Sequence, residues 1–239
     1  MSKLRYTQDQ KGSKTTQKWT IFNAIGMTFC TLIGMFDSCN LWLPIFSFFS
    51  FSFLLYLRNL NSVESSLFGT LANFITFLRL LLVIHIALLF PFVPDVMAFF
   101  LFGLAIFLDG VDGWVAKKQQ QQSSFGALFD KSVDAYFVLQ VVFLLYLKGD
   151  VPAYFLIIGL LPYLYELLLY LLSWQYLKIP PNPIGRYVAL LLFLGLLSPF
   201  IISARYYFPI LLIAFSLTIL SFGFSFYMKF MAFKKANSL

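Results

Sequence analysis

The residues with the clearest chemical potential are four aspartates within the stretch LDGVDGWVAKKQQQQSSFGALFDKSVD. Asp109 and Asp112 are three apart, and Asp130 and Asp134 are four apart. On a helix each pair shares one face, with Ala116 continuing the first face and Gly126 the second. A short turn, Lys117 to Phe125, is expected to make the two helices antiparallel neighbours, so both pairs converge on one spot. Carboxylates packed this closely repel, at about 4 kcal/mol per pair at 4 Å with an effective dielectric near 20. Either some are protonated or cations neutralise them. A ligand set of oxygens, without His or Cys, suits Mg²⁺, Mn²⁺ or Ca²⁺ rather than zinc. Two divalent ions would balance four charges, an arrangement used in phosphoryl chemistry. Gly113, Ala116 and Gly126 leave room for close helix packing and for a phosphate to approach the backbone.

Helix capping by scattered interfacial acids is the bland alternative, since Asp is favourable at a helix N-terminus. Four in register on adjacent helices, with small residues between them, argue against it. Other polar groups carry less information. Glu166 lies mid-way along LLPYLYELLLYLL, where an unpaired charge costs roughly 2.5 kcal/mol or more. It either faces the active-site cavity and helps select an acceptor, or is a protonated structural group. Arg186, in PPNPIGRY, either holds an acceptor phosphate or carboxylate or anchors the chain at the interface. Lys131 is either in the acceptor pocket or a headgroup contact. Arg205 reads as an anchor, and His85 as a satisfied structural histidine.

The elements that must position these groups follow from composition. Of 239 residues 60% are hydrophobic, 20% aromatic and 11% charged, with 31 Phe and a mean hydropathy of +0.84. Soluble domains carry about 45–50% apolar and about 25% charged residues, so a soluble enzyme is excluded. Long apolar runs, rather than short alternating strands, exclude an outer-membrane barrel. The two cysteines lack the spacing of a disulfide framework or zinc site. The fold class is all-α, a polytopic membrane bundle. Eight spans are predicted: 19–36, 41–57, 74–91, 95–112, 127–147, 151–172, 185–204 and 206–228. The Phe-rich first two read as lipid-facing bulk without a polar site, serving packing or dimer support.

With eight spans both termini share a side, and of the 17 Lys and Arg only Lys148 and Arg205 fall opposite. That asymmetry predicts cytoplasmic termini. The net charge of +7 is thus topological, aided by anionic headgroups, and no nucleic-acid partner is expected. Residues 1–18 are polar and basic, and no small-residue cleavage site follows the first apolar run. They read as a mobile cytoplasmic tail rather than a cleavable signal. Residues 65–72 suggest a short interfacial helix, and Gln119–Gln122 a short turn. No internal repeat is visible.

The stretch from Asp109 to Asp134 resembles the signature of the CDP-alcohol phosphotransferases, D-x-x-D-G-x-x-A-R-x8-G-x3-D-x3-D. Asp109, Asp112, Gly113, Ala116, Gly126, Asp130 and Asp134 stand at the required spacing, with Lys117 where the family has Arg. Upstream, Asn73, Thr76 and Arg79 resemble the family's N-x-x-T-x-x-R. The resemblance implies a six-helix core over residues 58–230, two additional N-terminal helices over 19–57, and basic tails at 1–18 and 231–239.

It also implies transfer of a phosphatidyl group from a CDP-linked donor, usually CDP-diacylglycerol, to a small alcohol, with release of CMP, in phospholipid biosynthesis. By position, Asp109, Asp112 and Asp130 would bind two divalent cations, Mg²⁺ or Mn²⁺, with Asp134 reaching at least one. Asp134 is the candidate general base. Asn73, Thr76, Arg79, Gly113 and Lys117, with the small motif residues Ala116 and Gly126, would form the donor site, with Lys118 as a substitute for Lys117. Lys131, Glu166 and Arg186 are the acceptor candidates. Many relatives are homodimers. The active site is expected at the cytoplasmic face of the cell (inner) membrane. A cation- or proton-coupled transporter is the competing class, but transporters place such acids near the midplane, often within inverted repeats.

Overall fold

The computed structural model describes residues 2–61, 70–118, 123–174, 177 and 183–237. Among these are eight α-helices and no strand: α1 Ser2–Asp37, α2 Trp42–Asn61, α3 Leu71–Leu89, α4 Asp95–Lys118, α5 Ser124–Lys148, α6 Leu156–Leu171, α7 Pro183–Leu197 and α8 Ala204–Asn237. Short 3-10 turns at Phe90–Phe92, Ala153–Phe155 and Ser198–Phe200 join or extend them. In lipid every backbone donor and acceptor must be satisfied within the segment, and helices are the local solution.

Six helices, α1 to α4, α6 and α8, are long and apolar enough to cross a membrane. The sequence predicted eight such spans. Helix α5 has the length, but Asp130, Lys131 and Asp134 crowd its first half and Lys148 closes it. The seventh span is shorter than expected, because α7 gives way to the 3-10 turn at Ser198, and Ile184–Phe200 is a short apolar segment. The expected mobile tail is helical from Ser2 onward, continuous with the first span. Gln119–Gln122 lie outside the described residues, as does the predicted interfacial helix up to residue 69. Leu71 and Ala72 belong to α3.

Helix α5 is the centre of the bundle. From Ala135 to Leu145 every residue is buried, which is why this stretch is apolar on all sides, Gln140 excepted, instead of carrying a one-sided stripe. Gly159 lets α6 lie directly on it, since a Cβ there would stand 2.7 Å from Leu139 Cα. Gly149 ends α5 with φ of 85°, the left-handed conformation that favours glycine. At this end Lys148 bonds Asp95 at 2.7 Å and Asp150 at 3.1 Å, tying α4 to α5.

Helix α3 packs on both α4 and α5, whereas direct α4–α5 contact is sparse. The two acidic helices are therefore not the close neighbours that the short connector suggested. They converge mainly around α3, and Phe102 meets Phe137 edge-on at 5.9 Å between them. The reading of α1 and α2 as bulk without a polar site is also corrected. Helix α1 packs on α2 and α6, with Trp19, Met27 and Phe51 buried. Trp19 Nε1 donates to Ser50 O at 2.8 Å, and Ser50 Oγ donates to Asn23 Oδ1 at 2.7 Å. Buried polar groups of this kind need partners, and here the two helices supply each other's. Elsewhere Lys229 of α8 donates to the carbonyls of Trp174 and Leu177, holding the chain that follows α6. His85 is exposed, not a satisfied core histidine, and borders an apolar groove between α2 and α3.

Candidate functional site

Two helix starts set the frame. Thr70 caps α3 by accepting from Asn73 N at 3.2 Å, and Ser123 caps α5 by accepting from Gly126 N at 2.9 Å. Each cap satisfies a donor that the first helical turn leaves open. The two first turns then meet: a Cβ on Gly126 would sit 2.8 Å from Asn73 Oδ1. Gly126 is therefore a packing glycine. Gly113 differs, since nothing lies within 4 Å of the position its Cβ would take. That leaves the flank of α4 open beside Asp112.

From these caps α3 presents Asn73, Thr76 and Arg79, all buried, at three-residue intervals toward α4 and α5. Thr76 Oγ1 donates to Asp112 Oδ2 at 2.7 Å. Arg79, with 0% of its side chain exposed, donates through Nη1 to Asp109 Oδ1 at 2.6 Å and through Nη2 to Asp134 Oδ1. The same Nη1 lies 3.6 Å from Asp130 Oδ1. All four motif aspartates are thus gathered on one buried arginine and one threonine. A guanidinium suits this position because it is planar, offers several donors and stays charged when buried.

Sequence reasoning placed Arg79 on the donor nucleotide and missed its contact with the acids. The signal was present, because an arginine two turns inside an apolar helix must find carboxylates. Asn73 and Thr76, also expected on the donor, are buried between helices instead of facing open space.

Four carboxylates against one guanidinium leave a formal surplus of three negative charges. Asp109, Asp112 and Asp130 each offer an oxygen, all within 4.8 Å of one another, and together could hold a metal ion. Octahedral Mg²⁺ at about 2.1 Å places its oxygens roughly 3 to 4.2 Å apart, so a small contraction suffices. Asp130 Oδ1 supplies a further indication: it is buried and has no hydrogen-bond partner. The donor set and this orphaned oxygen fit a hard divalent cation. Asp134 is outside that trio and is held by Arg79.

The remaining candidates sit apart. Lys117 is exposed in the last turn of α4, and Lys118 is engaged with the Trp114 ring, 4.7 Å from its centroid. Ala116 is half-buried. Lys131 and Glu166 form an ion pair between α5 and α6, which answers the cost of a lone charge in that span. Arg186 is exposed near the start of α7.

Comparison with known proteins bears on this arrangement. A family model described as CDP-alcohol phosphatidyltransferase matches residues 69–225, from the cap of α3 into α8, leaving α1 and α2 outside. No curated protein and no solved structure matches the chain. The match covers 157 of 239 residues and contains every motif residue gathered around Arg79. The chain therefore belongs to the CDP-alcohol phosphatidyltransferase family, membrane transferases of lipid synthesis that move a phosphatidyl group from a CDP-linked alcohol.

Proposed function

We propose that this chain is an integral-membrane phosphotransferase that takes CDP-diacylglycerol as donor and a small alcohol as acceptor, releasing CMP. The observation that carries the reading is the convergence of Asp109, Asp112, Asp130 and Asp134 around α3. We place this end of the bundle at the cytoplasmic interface, following the bias of Lys and Arg toward that side. There a nucleotide is reachable from water and lipid tails from the bilayer.

Asp109, Asp112 and Asp130 would hold two divalent cations, Mg²⁺ or Mn²⁺, with Asp134 completing the set. Such ions draw charge off a pyrophosphate and make its phosphorus electrophilic. Thr76 fixes Asp112 by its hydrogen bond, an orienting contact typical of metal sites. The open flank at Gly113 admits the diphosphate, and Lys117, at the mouth, contributes a mobile positive charge to it. Arg79 orients Asp134 through Oδ1, and Oδ2 is the atom assigned as base. It takes the proton of the acceptor hydroxyl. The acceptor oxygen bonds to the phosphorus that carries diacylglycerol, the bond from that phosphorus to the bridging oxygen breaks, and CMP leaves with the electron pair.

The test is turnover by purified protein in lipid nanodiscs with CDP-diacylglycerol, Mg²⁺ and a panel of alcohols. Asp134→Asn is expected to abolish CMP release while leaving thermal stability in place, and EDTA to abolish it reversibly. Undiminished release in either case refutes the assigned chemistry.

A further inference from the structure

An apolar groove of about 650 Å³ lies between α2 and α3. Ile84 is buried at its floor, and Ile45, Phe49, Leu78 and Leu88 stand exposed along its sides. The groove opens because α2 packs more sparsely on α3 than on α1. Its far end is fixed, since Asn40 Nδ2, in the turn before α2, donates to Ala87 O at 2.8 Å. His85 is the one polar side chain of the lining. It is exposed there, and among the described residues it has no hydrogen bond or ion pair.

An imidazole carries at least one N–H in either protonation state, and a donor left unbonded in hydrocarbon is costly. The protein does not answer this one, so the lipid side must. From Leu78 to Leu88 the groove runs about 15 Å along α3, half of a hydrocarbon core about 30 Å thick. It therefore spans one leaflet, in the half of α3 away from the Thr70 cap. His85 stands one turn before the end of α3, close to the edge of the core, where the ester carbonyls of a diacyl lipid lie. Those carbonyls are acceptors with no donor of their own. A helix from a second copy would offer fewer acceptors, because its backbone carbonyls are spent within the helix. An unfilled groove forfeits dispersion contacts along both walls, and an acyl chain restores them.

We propose that this groove binds a diacyl glycerophospholipid of the leaflet opposite the aspartates, with one acyl chain between α2 and α3 and an ester carbonyl accepting from the His85 imidazole. Helix α2 is outside the residues matched to the family, so the site exists only where the N-terminal pair of helices is seated on the core. The lipid fills the seam between the two parts and takes no part in the chemistry around Arg79.

The experiment places the full chain in nanodiscs of phosphatidylcholine, a fraction of which carries a photoactivatable diazirine on one acyl chain. After illumination, mass spectrometry of the peptides locates the label. Phe49 in the groove and Ile213 on the lipid-facing side of α8 are comparably exposed, at 66% and 58%, so chance contact with lipid would label them alike. Labelling at Phe49 is expected to exceed that at Ile213. His85→Leu should lower the groove labelling about three- to tenfold, the worth of one hydrogen bond, whereas His85→Gln keeps an N–H donor and should retain it. Ile45→Trp fills the groove without touching His85 and should lower the labelling too. Both positions are exposed, so Tm should hold in all three variants. Equal labelling of Phe49 and Ile213 overturns the proposal, as does undiminished labelling in either His85→Leu or Ile45→Trp. The second of these decides the matter should the first fail to fold. Loss of groove labelling on addition of CDP-diacylglycerol assigns the groove to that lipid and overturns the proposal as well.

Discussion

Replacing Arg79 by methionine tests the charge balance of the site directly. The side chain is 0% exposed and lies 2.6 Å from Asp109 Oδ1, where Coulomb's law at an effective dielectric near 20 gives about 6 kcal/mol. Desolvation of the guanidinium and partial exposure of the carboxylates reduce this. Removing one partner of a buried pair costs about 3–5 kcal/mol, because the other charge is left uncompensated. Here several carboxylates would be left facing one another. In EDTA, Arg79→Met is therefore expected to lower stability by about that amount, or roughly 6–20 °C in Tm for a chain of this size. Divalent cations compensate the same charges, so millimolar Mg²⁺ should restore much more Tm to the variant than it adds to the unaltered protein. Thermal unfolding in detergent, with and without Mg²⁺, measures both terms. Equal Tm losses with and without the cation would refute the view that Arg79 and a divalent ion neutralise one acidic cluster. No loss in EDTA would refute the ion-pair argument itself.

Other substitutions separate packing from chemistry. Thr76→Val keeps the shape but removes the hydrogen bond to Asp112, and is expected to weaken Mg²⁺ activation about 10- to 100-fold, read as a shift in the Mg²⁺ dependence of CMP release. Gly113→Ala meets open space, so Tm should stay within about 1 kcal/mol equivalent while the KM for the CDP-linked donor rises. Gly126→Val drives a side chain into Asn73 and should lower Tm before any kinetic effect is considered, by about 1–3 kcal/mol for overpacking. Lys148→Met at the far end breaks contacts to Asp95 and Asp150 that are partly exposed, so a loss of no more than about 1 kcal/mol and unchanged turnover are expected.

Much of the site was legible because its spacing is local. Asp109 with Asp112, and Asp130 with Asp134, share faces by helical periodicity alone. The all-helical class followed from composition. What the spacing could not carry were contacts made across the bundle. A short connector between α4 and α5 suggested a direct pair, yet α3 packs on both. The sequence argument left the four carboxylates to be neutralised by protons or cations, because Arg79 lies 30 residues before Asp109 and 55 before Asp134. Glu166 was weighed as a lone charge for the same reason, its partner Lys131 being 35 residues away.

The placement of Arg79 also resolves a tension in the chemistry. An acidic cluster built only for cations would be unstable before they arrive, and the bundle would have to fold around bare repulsion. One guanidinium, fixed by burial and reaching three of the four aspartates, lets α3, α4 and α5 assemble first. The surplus it leaves is still negative, so cation binding remains favourable. Its hold differs among the aspartates: Asp109 and Asp134 are hydrogen-bonded to it, whereas Asp130 Oδ1 stands 3.6 Å off without a hydrogen bond. Asp112 is taken instead by Thr76. The arrangement thus divides the labour between carboxylates restrained by the protein and an oxygen left for a ligand, as the proposed cation-binding role requires.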